Sequence, residues 1–556
     1  MKEWINNCRD KHQLCVQAES PLPTRVLDLS GDDPVLVDTA GKAAPYTILS
    51  YCWGAKHPPT TMLGTEAQMR SRIKFSELPA TFKDAITITR DLGLRYLWID
   101  SLCIIQDSIN DWNLEAAQMK QYYRGAYLTI SALSAADSYE GILQQRQSHV
   151  PHIKWLNSNN VHVRPKLPSM GQVFENAILN KRGWTMQERL LSTRIIHFGT
   201  HELFWECATC TRREGSAGES SLDDARFIRE TDTDLHSKRL LSMLDVPEKM
   251  SNSSVPEGFS PSVLDTNMAE KADAAMSSWR NVVTQYSSRD LSYSTDKLPA
   301  VSGLASVVHG ISNYTYLAGC WKEDLLSFLW LAAEPKTGHF PFYYDPLETY
   351  RRLETNSNFI IYVPKDGIVF SPTAQGYRAP TWSWVSVEGL FCFFDADHEL
   401  GPVAELDAKI VDGDVQLSSR DPFGRVTGGQ LTISAVVADA RLISIASQNL
   451  KEDNGKEWHM FFDQRANNPG ISATEFARQF SDPVSPLLRE DAGQCLMVRI
   501  MEMKGSFDIY WTFYLLLEEA AGQPGMWRRV GCSMLELRGR HLSGMKWDQR
   551  REFVII

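Results

Sequence analysis

The chain has 556 residues, 43% of them hydrophobic and 22% charged, and its 57 Lys and Arg against 68 Asp and Glu leave a net charge of -11. At roughly 100–200 residues per domain, this length holds several folding units with cores of their own, which excludes wholesale disorder. The acidic balance, with no dominant Lys/Arg cluster, excludes a protein built to coat phosphate backbones. Tryptophan is abundant at 16 residues. Each brings a large apolar body and an N–H that needs a partner, so the excess points either to bulky core packing or to aromatic-lined pockets.

The first residues, MKEWINNCRDKHQ, lack the apolar core of a signal peptide, and the longest mainly apolar run, Ile509 to Leu517, is far short of a membrane span. The 10 cysteines are spread thinly, unlike those of a secreted disulfide scaffold. The expected location is therefore the cytoplasm, with no membrane partner and no nucleic-acid partner.

Residues 1–45 read as a helix and a hairpin lead-in. Cys8, His12 and Cys15 stand at i, i+4 and i+7, on one face of the helix that EWINNCRDKHQLCVQ would form. Such a face binds zinc once a further ligand joins it, and Cys207 and Cys210, in a C-x-x-C, can supply one or two thiolates. The alternative is an amphipathic helix that docks two cysteines into a core. RVLDLSGDDPVLVD, residues 25–38, alternates around a turn and predicts a hairpin.

Tyr46 to Tyr51 reads as a strand that ends at Cys52-Trp53-Gly54. A helix follows over Thr81–Leu92, with Thr81 as its cap, Asp84 completing the box and Gly93 as its stop. A second strand runs from Arg95 to Asp100, a helix from Asp111 to Arg124, and a third strand from Tyr127 to Leu133. This alternation predicts an α/β fold with a parallel sheet, whose ligands gather at the carboxyl ends of the strands, near Ser50–Gly54 and Asp100–Gln106. Past Asn180 a helix carries Trp184, Gln187, Glu188 and Leu191 on one face, and a hairpin turns at Gly199-Thr200-His201. Residues 214–273, rich in Ser, Asp, Glu and Pro, read as a lid or linker. Residues 274–366 are mainly helical in pattern, and 367–556 predict an antiparallel β-rich domain.

Several common signatures are missing: the GxxxxGK[ST] phosphate loop, GxGxxG after a strand, HExxH and GxSxG. The most informative carboxylate is Glu115, in the middle of the buried stripe Trp112, Glu115, Met119, Tyr122 and Ala126. A buried carboxylate either lines a wet cleft or pairs with an Arg or Lys of a neighbouring element. Asp100, at the end of its strand, points into the crevice or caps the loop N–H groups that follow it. Ser101, Cys103 and Gln106 follow it closely, and Cys103 reads as a buried thiol because no nearby base is visible in the sequence.

YTILSYCWG, the stretch from LPATFKDAITITRDLG to YLTISAL, and RGWTMQERLLSTRIIHFGTHELFWEC resemble the three signature blocks of the fungal heterokaryon-incompatibility (HET) domain. RAPTWSWVSVEG and the closing REFVII resemble segments found on the carboxy-terminal side of that domain. The resemblance implies a domain over 46–213 of TIR-like, flavodoxin-like architecture and a role in fungal non-self recognition and cell death. Some TIR domains hydrolyse NAD with a glutamate in an S-x-W-C-x-x-E pattern. Asp111-Trp112-Asn113-Leu114-Glu115 matches it in part, with Asn110 and Asn113 where Ser and Cys would be and the Trp-to-Glu spacing one residue shorter.

The resemblance implies NAD as a candidate substrate with Glu115 as the catalytic residue, and Asp100, at its strand end, and Glu188, in the WTMQER helix, are the further candidate carboxylates. Glu188 is also expected to form a salt bridge with Arg182 or Arg189. Breaking the nicotinamide glycosidic bond expels a neutral leaving group through an oxocarbenium-like transition state, so one well-placed carboxylate suffices. Trp53, Trp98 and Trp112 would wall the pocket, with Ser50, Tyr51 and Gly54 approaching the nucleotide. Two other classes stand beside this one. The first is a signalling module that assembles with copies of itself without catalysis. The second is a stand-alone enzyme of fungal secondary metabolism, a cyclase or condensing enzyme acting on a small molecule.

Overall fold

Strand β3, Tyr46–Ser50, is fully buried along its length, and the first sheet grows outward from it in both directions. The structure is a computed structural model that describes residues 1–17, 20–144, 167–214, 237–238, 241–242, 268–329, 332–334, 350–354, 359–364, 377–386, 390–392, 400–406, 408–439, 456–462, 495–505, 509–520, 522–538 and 550–556. The chain divides into two compact units. The first holds residues 1–281, 289–291 and 300–312, and the second holds the rest.

In the first unit, β1 (Arg25–Asp28), β2 (Val35–Asp38), β3, β4 (Tyr96–Trp98), β5 (Leu128–Ser131), β6 (Arg194–Phe198), β7 (Leu203–Cys207) and β8 (Thr211–Arg213) form one sheet. Their order is β2-β1-β4-β3-β5-β6-β7-β8. The four central strands β4-β3-β5-β6 run parallel, and antiparallel hairpins extend the sheet at both edges. The fold is thus mixed α/β with a mixed sheet. Buried on both faces, the central strands read as apolar runs, which is what a helix-covered parallel sheet requires.

Among the described residues, the helices of this unit are α1 (Lys2–Lys11), α2 (Glu66–Ser71), α3 (Ala80–Asp91), α4 (Asp100–Cys103), α5 (Ile109–Gly125), α6 (Met170–Asn176) and α7 (Gly183–Leu191), and it also holds most of the helices Met268–Ser287 and Pro299–Ser312. Three local expectations are corrected. Helix α1 ends at Lys11, where His12 turns extended, and a short 3-10 turn over Gln13–Cys15 follows, so the three metal candidates do not share one helix face. Pro79 holds the cap position of α3, and Thr81 and Asp84 spend their side chains on the loop after β5 instead. Thr81 Oγ1 accepts from Gly141 N at 3.2 Å, and Asp84 Oδ2 accepts from Ile142 N at 2.7 Å and Leu143 N at 3.0 Å. Strand β4 stops at Trp98 because Asp100 already opens the helical turn α4.

The second unit is built on a ten-stranded sheet that includes Val426–Asp439, Cys495–Gly505, Ile509–Glu519 and Met526–Arg538. Most of its pairings are antiparallel, but Phe359–Pro364 lies parallel to Lys456–Phe462 and Arg551–Ile555 parallel to Met526–Arg538, which corrects the expectation of an all-antiparallel sheet. Trp321, Trp382 and Trp384 are buried within this unit. Gly319, with φ +93°, lets Trp384 Nε1 donate to its carbonyl at 2.8 Å; a Cβ there would lie 2.7 Å from the indole nitrogen. The expected lid over 214–273 lies largely outside the described residues. No helix among the described residues is long and apolar enough to cross a membrane.

Replacing Asp84 by Ala leaves two backbone N–H groups of the loop at 142–143 without their acceptor. The expected cost is about 1–2 kcal/mol in urea unfolding, with an unchanged denaturant slope.

Candidate functional site

The order of the parallel strands reverses at β3: the chain steps first to β4 on one side and then to β5 on the other. At such a reversal the loops leaving the carboxyl ends diverge and open a crevice between them. Here those loops are Tyr51–His57, after β3, and Ala132–Gly141, after β5. They meet at Gly54, whose φ is +79° and where a Cβ would come within 2.1 Å of the Asp137 Cβ. Only glycine permits that approach. Asp137 Oδ1 accepts from Tyr139 N at 2.7 Å and Glu140 N at 3.0 Å, and Lys56 lies 3.8 Å from the Tyr139 ring centroid, so the two loops are clipped together.

Asp100, half-buried at the start of α4, is held at both of its carboxyl oxygens. Its Oδ2 accepts from Trp53 Nε1 at 2.9 Å and its Oδ1 accepts from Ser101 N at 2.7 Å, while the Tyr51 hydroxyl nearby favours the ionised form. Desolvation nevertheless raises its pKa, outweighing these bonds and the Arg182 charge. Tyr51 donates to Ser101 Oγ at 3.0 Å. Gln106 Nε2 reaches the Asp100 carbonyl at 3.2 Å and braces the turn.

Glu188 lies on α7 and is only 9% exposed. Burial pushes its pKa up to about 7; the Asp100 charge acts in the same direction, while the Ser50 and Tyr123 hydroxyls and the Arg182 guanidinium oppose the rise. Its Oε2 has no hydrogen-bond partner among the described residues. Arg182, half-buried at the cap of α7, donates from Nη1 to the Tyr51 carbonyl at 2.8 Å, and its charge acts on both carboxyls. Asp100, Glu188, Ser50, Tyr51, Trp53 and Ser101 therefore come together around Arg182.

The remaining candidates go elsewhere. Glu115, 2% exposed, accepts from Tyr122 Oη at 2.8 Å and stands 3.7 Å from Arg25 Nη2. The same Arg25 nitrogen is 2.5 Å from Asp111 Oδ2, and Arg25 Nε donates to the Cys103 carbonyl at 2.8 Å. Burial raises the Glu115 pKa against the pull of Tyr122, Thr24 and Arg25. Of the two readings of its stripe, the structure realises the paired one. Trp98 is fully buried between the Tyr122 and Tyr123 rings, and Trp112 meets Trp184 edge to face at 6.0 Å. Cys103 is buried and its thiol is pushed up to about 12 by desolvation, which makes it a poor nucleophile.

Two further groups escaped the sequence reading. Arg189 does not pair with Glu188; it turns to Glu206, with Nε at 2.9 Å and Nη2 at 2.7 Å from Oε2, and Lys238 Nζ meets Oε1 at 2.9 Å. Burial alone would raise the Glu206 pKa, but these two cations hold it well below the usual carboxylate value. His197, whose pKa burial lowers to about 4, has Nδ1 2.9 Å from Ser131 Oγ and Nε2 3.5 Å from Glu206. Ser131, His197 and Glu206 thus have the residue types of a nucleophilic triad. All three are buried, and the Phe174 ring lies 4.6 Å from the imidazole, so the arrangement is a packed core network.

Among the metal candidates, Cys8, His12, Cys15 and Cys207 are all buried and their ligand atoms lie within 4.8 Å of one another. Cys210 Sγ lies 3.9 Å from Cys207 Sγ.

Residues 46–188 match the family model for heterokaryon incompatibility protein (HET). The matched stretch runs from the first residue of β3 to Glu188, within α7. No curated protein matches the chain, and no solved structure does.

Two outcomes are expected from the buried charges. Glu206→Ala strands Arg189 and Lys238 in the core and is expected to cost about 3–5 kcal/mol, read by chemical denaturation. Glu188 keeps its proton in the folded state up to about pH 7 but loses it near 4.5 when unfolded. Stability from this group is therefore greatest below 4.5 and falls as pH rises toward 7. Glu188→Gln is expected to raise stability by on the order of 1–3 kcal/mol at pH 8 and to leave it unchanged near pH 4.

Proposed function

We propose that this HET-domain protein, of heterokaryon-incompatibility type, is a hydrolase that cleaves the nicotinamide N-glycosidic bond of NAD at the carboxyl ends of β3, β4 and β5. Its four parallel strands then form a TIR-like, flavodoxin-like core, a reading supported by the strand reversal at β3. The observation that carries the activity is Glu188: a buried carboxyl with a pKa of about 7 and one oxygen without a hydrogen-bond partner among the described residues, close enough to Asp100 for the two carboxyls to feel each other's charge.

In this reading the two carboxylates divide the work. Asp100 is fixed by Trp53 and the Ser101 N–H, so it orients whatever enters beside the indole. Glu188 is the group with hydrogen-bonding capacity to spare, and its ionised form holds ribose hydroxyls and stabilises positive charge at the anomeric carbon. The bond between C1′ and the pyridinium nitrogen breaks with its electron pair leaving on neutral nicotinamide. Water then adds to C1′ and releases a proton, giving ADP-ribose. Arg182 keeps a share of Glu188 ionised near neutrality while it donates to the Tyr51 carbonyl. Glu115, committed to Arg25 and Tyr122, supports β1 against α5 and does not touch the substrate.

Purified protein incubated with NAD is expected to release nicotinamide and ADP-ribose, measured by chromatography, with a rate that rises with pH and levels off above about 7 as Glu188 ionises. Glu188→Gln should lower kcat by about 10²–10³. Glu115→Gln should lower stability and leave kcat of the folded protein within a small factor. Full turnover in Glu188→Gln, or turnover lost in a stably folded Glu115→Gln, would reverse the assignment; no nicotinamide from the wild-type protein would refute the activity.

A further inference from the structure

Outside the HET match lies a second constellation of reactive side chains. Cys8 leaves α1, His12 caps it, Cys15 closes the 3-10 turn and Cys207 ends β7, so the four come from two segments nearly two hundred positions apart. All four are buried. His12 Nδ1 lies 3.4 Å from Cys207 Sγ. The edges of a tetrahedron with zinc at its centre are about 3.6 Å between nitrogen and sulfur and about 3.8 Å between two sulfurs. A cluster whose ligand atoms all fall within 4.8 Å of one another needs only small side-chain adjustments to reach them.

We propose that Cys8, His12, Cys15 and Cys207 bind one Zn²⁺ as a closed structural site that staples the amino-terminal segment to the β7–β8 edge of the sheet. Three thiolates and one neutral imidazole are a common structural zinc set, and burial of all four leaves no open position for a reacting molecule. Coordination through Nδ1 agrees with the direction in which His12 faces Cys207. Metal binding displaces the three thiol protons to solvent, so affinity falls on acidification.

The surroundings are arranged for a thiolate at Cys207. Its sulfur accepts from the Cys210 backbone N–H at 3.3 Å, and the Cys207 N–H donates back to the Cys210 carbonyl at 3.0 Å. That closed turn fixes the sulfur and spreads its charge, as outer-shell groups do at metal sites. Thr209 Oγ1 lies 3.7 Å from Cys15 Sγ. Cys210, whose sulfur is near Cys207 but outside the set of four, acts as a positioning neighbour and not as a ligand. Arg194 ties the same region together, with Nη2 on the Cys15 carbonyl at 2.5 Å. Because Cys207 directly follows Glu206, the staple fixes the stretch of β7 that anchors Arg189 and hence α7.

The proposal is independent of the NAD reading, since its readouts are metal content, spectrum and stability. Protein purified without added metal is expected to carry about one zinc per chain by mass spectrometry. The wild-type chain, unfolded, stripped of metal and refolded with Co²⁺, should show the intense visible bands of a tetrahedral cobalt thiolate site and a near-ultraviolet thiolate-to-metal band. Cys207→Ser should abolish both, while Cys210→Ser should keep both. A strong chelator should lower the thermal midpoint of the wild-type protein, and zinc should restore it. The site is overturned if the metal-free chain unfolds at the same temperature as the zinc-loaded one, if the cobalt bands are absent from the wild type, or if mass spectrometry finds Cys207 in a disulfide. Loss of the bands in Cys210→Ser with retention in Cys207→Ser would overturn the ligand assignment. The cobalt experiment uses the unmutated chain, so it decides the question even if the serine variants do not fold.

Discussion

Glu206 has no exposure to solvent, and an ionised carboxylate is tolerated there only because Arg189 and Lys238 meet its two oxygens. This charge cluster constrains much around it. Taking Glu206 away would leave two cations uncompensated in a low-dielectric interior, which is far more costly than the pairing is favourable. Arg189 therefore has a single place to be, and α7 is pinned through it to β7. Glu188, the preceding residue, is carried to the carboxyl end of the parallel strands by that anchorage. The neutral His197 fills the remaining side of the cluster and links it to Ser131 on β5.

Glu206, Glu115 and Glu188, three of the buried glutamates of the first unit, show how neighbours, more than burial, set chemistry. Glu206 faces two cations and stays ionised. Glu115 faces Arg25, which it shares with Asp111, and a tyrosine hydroxyl, so its oxygens are spoken for. Glu188 faces hydroxyls and the more distant charge of Arg182, and it keeps one oxygen without a partner among the described residues. Burial acts on all three in the same direction. At Glu188 the opposing interactions leave the carboxyl titrating near neutrality, and such a group with an idle oxygen is what acid–base or cation-stabilising chemistry uses.

The extent of the HET match divides the first unit in a physically sensible way. The three strands β3, β4 and β5 and the helices that cover them fall within residues 46–188, as do Asp100, Arg182 and Glu188. Outside it lie the hairpins that extend the sheet, the Glu206 carboxylate and the cysteine–histidine cluster. Asp100, Arg182, Glu188 and the strand reversal near them thus lie inside the matched stretch, while Glu206 and the cysteine–histidine cluster come from the flanking chain.

The sequence by itself determined the alternation of strands and helices, the parallel core and the hairpins, because apolar runs, turn residues and the stop at Gly93 are local signals. It also picked out the strand-end residues Ser50–Gly54 and Asp100–Gln106, and the spacing of Cys8, His12 and Cys15. Local pattern misled where a side chain had a better partner far along the chain. Thr81 and Asp84 have the look of a cap yet serve a loop some sixty residues on, and the face of α1 ends before His12. Only the tertiary structure decided which buried carboxylate is paired and which keeps an oxygen without a partner among the described residues. The periodicity that marks Glu115 as buried carries no information about Arg25, some ninety residues earlier, and nothing near Glu188 announces that Arg189 will be drawn to Glu206. Burial is written in the spacing of neighbours along the chain; the identity of a buried charge's partner is settled only when distant segments pack against each other.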